Sequence, residues 1–135
     1  MDDLVYKEET YEIMGACFNV YNEMRSGFLE AVYQECLEIE FDFQQIPFHS
    51  QPRLDLTFRQ KPLKNKYAAD FICFDKIVIE IKAVVNLIDD HRAQLMHYLR
   101  ATKYQLGLLV NFGHYPDLEY ERIVNTRGRL VRRKP

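Results

Sequence analysis

An acidic pair and a lysine lie close together near the middle of this 135-residue sequence. The run IVIEIKAVV at 77–85 is rich in β-branched residues and predicts a strand. Side chains two positions apart on a strand share a face, so Glu80 and Lys82 point the same way, while the three odd-numbered isoleucines point into the core. A glutamate and a lysine on one face of an otherwise apolar strand are candidates for chemistry.

Asp70 lies in the preceding run, YAADFICF at 67–74, which also predicts a strand. If the two strands form a hairpin centred on Asp75, Asp70 and Glu80 are equally far from the turn and face each other. A two-residue turn centred between Asp75 and Lys76 would place Asp70 opposite Ile81 instead. The pattern leaves this register open.

Opposed carboxylates on neighbouring strands repel each other and require compensation. Either one carboxylate is protonated or a cation lies between the two, and a hard divalent ion suits such oxygen ligands. Mg²⁺, with Mn²⁺ as a substitute, retains waters and leaves room for a phosphate, and Lys82 can stabilise negative charge beside it. This arrangement is the minimum for metal-assisted phosphodiester hydrolysis. The alternative from spacing alone is a surface salt-bridge cluster of Asp70, Glu80 and Lys82.

Three segments together resemble a known family. YAADFICFDKIVIEIKA at 67–83 resembles the D-x(n)-E-x-K signature of the PD-(D/E)XK nuclease superfamily, and GFLEAVY at 27–33 resembles the G-x-x-E-x-x-Y pattern of its GxxExxY branch. AQLMHYL at 93–99 resembles the glutamine-bearing helix that follows, so that the similarity runs from about residue 8 to residue 124. Gly27 and Tyr33 would be structural markers of the branch.

The resemblance implies a fold, a reaction and roles for individual residues. It implies a restriction-endonuclease-like α/β core, ordered α-β-β-β-α-β, with a mixed central sheet flanked by helices. Asp70 and Glu80 would be metal ligands, Lys82 the catalytic lysine, and Glu30 a further acidic residue that approaches the metal. Gln94 would lie near the site on the later helix.

The sequence also departs from the superfamily pattern and offers further candidates. Ala69 stands where the superfamily name expects proline, which weakens the match without removing a ligand. His91 can contact metal or phosphate from a helix start, although a capping or solvated role explains it equally well. Tyr98 lies one helical turn after Gln94, so the two can line the site together, and a polar helix edge would have the same spacing.

Apolar periodicity predicts the order helix, helix, strand, strand, strand, helix, strand, with helices packed on a mixed sheet. The first helix carries a stripe of Tyr11, Met14, Phe18 and Tyr21, and the second a stripe of Leu29, Val32, Cys36, Ile39 and Phe43. The predicted segments are helices over about 8–24, 28–43 and 91–103, strands over 46–58, 67–74, 77–85 and 105–112, a polar loop over 61–66, and an edge strand near 121–124. Asp89 and Asp90 are expected to cap the third helix.

Composition predicts one domain over residues 1–124 and a flexible basic tail over 125–135. No stretch approaches the ~20 apolar residues that a bilayer span requires, and the acidic start is unlike a signal peptide, so a cytoplasmic protein without membrane contact is expected. The three cysteines are expected to be reduced thiols. A net charge of −2 is unusual for a nucleic-acid-binding domain, so that such binding must be local. Basic residues cluster in two places, 53–66 and 127–134, which are also explicable as a solvated turn and a solvated tail.

The leading interpretation is a magnesium-dependent nuclease that acts on nucleic acid, more specifically DNA. One alternative is a non-catalytic module that keeps the nuclease fold within a nucleic-acid or defence complex, for which the acidic net charge argues. A second is a metal-dependent hydrolase of another phosphate ester. A homodimer and a protein partner are both left open.

Overall fold

The computed structural model describes residues 4–125, which form helices on both sides of a sheet and a separate hairpin. In chain order the elements are α1 Lys7–Met24, α2 Glu30–Phe43, β1 Phe48–Ser50, β2 Arg53–Phe58, β3 Lys61–Ala68, β4 Phe71–Cys73, β5 Ile77–Lys82, α3 Asp89–Thr102, β6 Leu106–Asn111 and β7 Glu119–Val124. None of the helices in this part of the chain is long and apolar enough to span a membrane.

Five strands form one mixed sheet in the order β1–β4–β5–β6–β7. β5 and β6 run parallel, whereas the other neighbours in this sheet are antiparallel. Parallel neighbours cannot be joined by a tight turn, and α3 provides the crossover between them. The predicted mixed sheet flanked by helices is confirmed, and the predicted strand near 121–124 is the edge strand β7.

The core has one layer on each face of the sheet. α1 and α2 pack on the face that carries the odd-numbered isoleucines of β5, and α3 packs on the face that carries Val78. All six residues of β6 are buried, as expected for a central strand covered on both faces. α3 contributes Leu95 and Leu99 to the core on its side of the sheet.

The apolar stripes predicted for α1 and α2 are partly wrong. Met14 and Tyr21 are buried, but Tyr11 is 82% exposed, and Ile13 and Cys17 enter the core instead. On α2 the buried residues are Tyr33, Gln34, Leu37 and Phe41, whereas Leu29, Ile39 and Phe43 are exposed. Both helices carry apolar residues on more than one side, so that spacing alone does not select the side that meets the sheet.

The central strands differ from the prediction in three respects. The predicted strand 46–58 is divided at Pro52 into β1, which joins the main sheet, and β2, which leaves it. The predicted loop 61–66 is the first part of β3, which pairs with β2 in a separate two-stranded hairpin. The predicted strand 67–74 is divided between the end of β3 and β4. Residues 61–66 are exposed and therefore lack the apolar alternation that marks a half-buried strand.

Two further predictions concern the start of α3 and the end of the chain. α3 begins at Asp89, and its N-cap residue is Ile88, so that the predicted capping by Asp89 and Asp90 is wrong. The two aspartates lie in the first helical turn, where negative charge is favourable. The predicted basic tail lies outside the described residues except for Asn125, whose backbone N–H donates to the carbonyl of Gln105 at 2.8 Å.

Candidate active site

Strand β5 carries the glutamate and the lysine of the candidate site. Ile77, Ile79 and Ile81 are buried against α1 and α2, and Glu80 and Lys82 project with Val78 toward α3. Both charged side chains lie near the end of the strand and are only partly buried. The placement predicted from the two-residue period of the strand is therefore what the structure shows.

Asp70 is held at the same end of the sheet by its own hydrogen bonds. β4 pairs with β5 in the register centred on Asp75, since Phe71 faces Ile79. The pairing ends there, and the Asp70 carboxylate accepts a hydrogen bond from the backbone N–H of Ile81 at 2.7 Å. The carboxylate thus contacts the peptide group that links Ile81 to Glu80. Of the two registers that the sequence left open, the structure has the one centred on Asp75, and the Asp70 carboxylate is bonded to the backbone of β5.

The backbone of Asp70 is fixed from the opposite side. Its carbonyl accepts hydrogen bonds from the backbone N–H of Gln51 at 2.8 Å and from the side-chain amide of Gln34 at 3.1 Å. Gln34 is buried on α2, and its amide also donates to Ser50 Oγ at 3.0 Å. These contacts join α2 and β1 to the residue on which the site depends.

Glu80 and Lys82 line an open pocket of about 170 Å³ between β5, α3 and β3. α3 contributes His91, Gln94 and Tyr98 to its wall. The structure therefore brings Gln94 together with Glu80 and Lys82, as the sequence predicted. His91 also accepts a hydrogen bond from the backbone N–H of Ile88 through Nδ1, so the histidine both caps α3 and faces the pocket.

Tyr67 is a site residue that the sequence did not single out. Its hydroxyl donates a hydrogen bond to Oε2 of Glu80. Its ring stacks on Tyr98 of α3, with ring centroids 3.8 Å apart and planes 5° from parallel. Tyr67 therefore orients the Glu80 carboxylate and attaches β3 to α3. The available signal was a tyrosine at the first residue of the predicted strand 67–74.

A second pocket, of about 460 Å³, lies beside α2 and is strongly acidic. Asp70 lines it together with Glu30, Glu35 and Glu38. Glu30 is the first residue of α2 and approaches the site from there. Asp70 therefore lines a different pocket from Glu80 and Lys82, and the link between the two pockets is β5, which contributes Ile81 to one and Glu80 and Lys82 to the other.

Burial and the charge of Glu30 make the carboxylates of Asp70 and Glu80 unfavourable as anions. Burial raises the pKa of Glu80 to about 7, the positive charge of Lys82 opposes the rise, and the negative charge of Glu30 adds to it. Burial also raises the pKa of Asp70, against the opposing hydrogen bond from Ile81, while Glu30 again raises it and Lys82 lowers it. The same two charges act on both carboxylates, which places all four groups in one electrostatic neighbourhood.

These groups fit a divalent ion that takes few protein ligands. Within residues 4–125 no set of three or more His, Cys, Asp or Glu side chains is arranged to hold a metal, so Glu30 does not complete such a set. Two partly buried carboxylates whose pKa values burial raises match Mg²⁺, which accepts one or two carboxylates and keeps waters. The role of Glu30 as a third ligand stays a prediction.

The GFLEAVY segment positions the start of α2. Gly27 has a φ of 119°, a conformation that side chains with a Cβ rarely adopt. Tyr33 is fully buried, donates its hydroxyl proton to the carbonyl of Arg25 and accepts the N–H of Phe28 at 3.2 Å. Its ring stacks on Phe112 at 4.7 Å. The glycine and the tyrosine therefore fix the turn from which Glu30 approaches the site.

The chain after Lys82 is held by Asn111, which the sequence analysis also missed. Asn111 is fully buried, and its side-chain oxygen accepts the backbone N–H groups of Val84 and Gly113, each at 3.0 Å. The backbone N–H of Phe112 donates to the Lys82 carbonyl at 2.8 Å. One polar residue at the end of an apolar strand was the available signal.

The mixed sheet flanked by helices, with these acidic groups and a lysine at one strand end, defines a restriction-endonuclease-like α/β protein. A family model described as the PD-(D/E)XK nuclease superfamily matches residues 7–123, and the chain belongs to that superfamily. Nucleases of this superfamily generally use divalent metal ions.

Two solved structures show the same fold. The alkaline exonuclease LHK-Exo from Laribacter hongkongensis is 10% identical, with a TM-score of 0.54 over 98% of this chain and 76% of the exonuclease chain. The crystal structure of SSO0001 is 24% identical, with a TM-score of 0.56 over 70% of this chain. The match spans only 50% of the SSO0001 chain. No curated protein matches the sequence with significant similarity.

Proposed function

We propose that this chain is a magnesium-dependent nuclease that hydrolyses phosphodiester bonds of nucleic acid, and specifically of DNA. The observation that carries the proposal is the contact of the Asp70 carboxylate with the peptide next to Glu80, with Lys82 two residues further along the same strand. GFLEAVY supports a finer assignment to the GxxExxY branch, because its glycine, glutamate and tyrosine have distinct structural positions at the start of α2.

Each residue of the proposed site has a separate task. Asp70 and Glu80 would hold the divalent ion, with Glu30 as a further acidic group. The ion would be Mg²⁺, with Mn²⁺ as a substitute. When bound, such an ion polarises a phosphoryl oxygen and lowers the pKa of water. Lys82, which lines the same pocket as Glu80, would stabilise the negative charge that develops on the phosphate in the transition state. Gln94 lines that pocket too and would orient substrate or water by hydrogen bonds.

Cleavage of labelled DNA by the purified full chain tests the activity. We expect cleavage with Mg²⁺ or Mn²⁺ and none with EDTA, because the carboxylates have no other means of activating the phosphate. Supercoiled plasmid and linear duplex distinguish endonuclease from exonuclease products. RNA assayed in parallel shows whether the enzyme prefers DNA or RNA as its substrate. Equal cleavage with EDTA and with Mg²⁺ would contradict the proposal.

The acidic overall charge favours one other function, a non-catalytic module of the same fold that binds or regulates. Calorimetric titration with Mn²⁺ separates the two functions. An enzyme shows saturable binding that Asp70→Asn abolishes, whereas the exposed substitution Glu12→Gln on α1 leaves it unchanged. A module without catalysis shows no saturable Mn²⁺ binding that depends on Asp70.

A further inference from the structure

The hairpin formed by β2 and β3 carries most of the exposed positive charge near the site. Residues 53–68, here called the basic arm, contain Arg53, Arg59, Lys61, Lys64 and Lys66 against Asp55 as the single acidic residue. All five basic side chains are exposed. Among the residues that the structure describes, Lys66 forms an ion pair, with Asp55, and the other four basic residues of the arm form none. The arm is strongly positive on a protein whose net charge is −2.

The basic arm leaves the main sheet beside the candidate active site. Its two ends meet where the backbone N–H of Ala69 donates to the carbonyl of Pro52 at 3.2 Å, and Asp70 is the next residue. Lys66 and Tyr67 of the arm line the pocket that holds Glu80 and Lys82. The arm therefore borders the same pocket as the lysine of the site, with Lys66 as the basic residue at the border.

The inner face of the arm is already occupied, and its outer face is free to bind. An isolated two-stranded hairpin is marginally stable in water. Leu54, Leu56 and Tyr67 pack it against the cluster that contains Leu95 and Leu99 of α3. The exposed basic side chains do not take part in this packing, so their charge is not needed to hold the arm in place.

The end of the arm also exposes an aromatic ring next to positive charge. Phe58 is 65% exposed, and the guanidinium of Arg59 lies 5.8 Å from its ring centroid. Leu63 is 41% exposed nearby in the same hairpin. Aromatic rings that alternate with arginine and lysine bind nucleic acid by stacking on bases while the cations contact phosphates.

The opposite side of the site repels phosphates. Glu30, Glu35 and Glu38 line the pocket beside α2 and present negative charge there. A polyanion that approaches the end of β5 is therefore excluded from the α2 side and attracted from the side of the arm. Both effects select the same direction of approach.

We propose that the basic arm is the nucleic-acid-binding element of this protein, which holds the phosphate backbone of DNA across the pocket of Glu80 and Lys82. This inference rests on the proposed nuclease function for the class of its ligand. It adds the surface, the direction of approach and the residues that provide affinity.

Binding measured without cleavage tests the role of the arm. Fluorescence anisotropy with a labelled DNA duplex in EDTA, repeated over a range of salt concentrations, gives the affinity and its salt dependence. Lys61→Gln/Lys64→Gln should weaken binding about tenfold at low salt and reduce the slope of log K against log salt by about two, because each phosphate contact releases about one counterion. Phe58→Ala should weaken binding to single strands more than to duplex, because only unpaired bases stack freely.

Lys7→Gln/Lys76→Gln is the matched control, since it removes two positive charges beside the first turn of α1, at the opposite end of β5 from Lys82. It should leave both the affinity and the salt slope unchanged. Wild-type protein that fails to bind, or an arm variant that binds like wild type, overturns the inference. DNA binding through the arm without metal-dependent cleavage overturns the nuclease proposal alone. Cleavage that the arm variant does not affect overturns only the proposal that the arm binds DNA.

Discussion

Replacement of Lys82 by glutamine lowers the rate of Mg²⁺-dependent DNA cleavage by about a hundredfold or more, and Glu80→Ala does the same. Loss of the ammonium group removes a positive charge from the phosphate in its transition state. Loss of the Glu80 carboxylate removes one of the two proposed metal ligands. Single-turnover cleavage under saturating Mg²⁺ measures the chemical step for both variants, so that a defect in product release does not mask it.

The two variants differ in what they leave intact. Lys82→Gln keeps Asp70 and Glu80, so Mn²⁺ binding measured by calorimetry should persist, whereas Glu80→Ala should lose it. Lys7 is the first residue of α1, and Lys7→Gln is the control for loss of charge alone. A Lys82→Gln protein that cleaves DNA within about threefold of the wild-type rate would remove the lysine from the mechanism.

The metal-free protein should become less stable as the pH rises from about 5 to 8. The pKa of Glu80 is about 7 in the folded protein, above its ordinary value of 4.5, because the carboxylate is buried. Between these two values the folded state holds a proton that the unfolded state has lost, so raising the pH destabilises the folded state. The shift corresponds to a loss on the order of 3 kcal/mol in the free energy of unfolding. The raised pKa of Asp70 acts in the same direction.

Urea denaturation in EDTA at several pH values measures this effect as a difference between variants. Glu80→Gln resembles the protonated acid and can still accept the hydrogen bond from Tyr67, so the variant should match wild type near pH 5 and exceed its stability near pH 8. The exposed substitution Glu12→Gln should follow wild type throughout. Mn²⁺ should restore the stability of wild type near pH 8 and leave Glu80→Gln unchanged. Parallel pH profiles of the free energy of unfolding for wild type and Glu80→Gln would show that folding does not raise the pKa of Glu80.

The placement of Glu80 and Lys82 on one face of β5 was predictable because alternation along the strand separates them from the buried isoleucines. This is a local relation, which sequence spacing determines directly. Gln94 was expected near the site from the resemblance of AQLMHYL to a glutamine-bearing helix rather than from its spacing, because a polar helix edge has the same spacing from Tyr98; both residues line the pocket.

The residues that were missed act through contacts between distant segments. Tyr67 reaches Glu80 and Tyr98 only because the hairpin of β2 and β3 is separate from the main sheet and packs on α3. Residues 61–66 of the basic arm were predicted as a polar loop, because their side chains are exposed and a strand of this kind has no apolar alternation. The sequence left open whether Asp70 faces Glu80 or Ile81; in the structure, strand pairing ends at Phe71 and Ile79, and the Asp70 carboxylate accepts the backbone N–H of Ile81. Spacing does not encode where a strand leaves its sheet.

A crystal structure of the full chain soaked in Mn²⁺, with an anomalous difference map, tests the central claim most directly. We expect a manganese peak in contact with the carboxylates of both Asp70 and Glu80, on the side of β5 from which Lys82 projects. The same soak of Glu80→Gln should lose or weaken the peak. A wild-type map without manganese at the end of β5, or with manganese held by other side chains while the protein still cleaves DNA, would contradict the account.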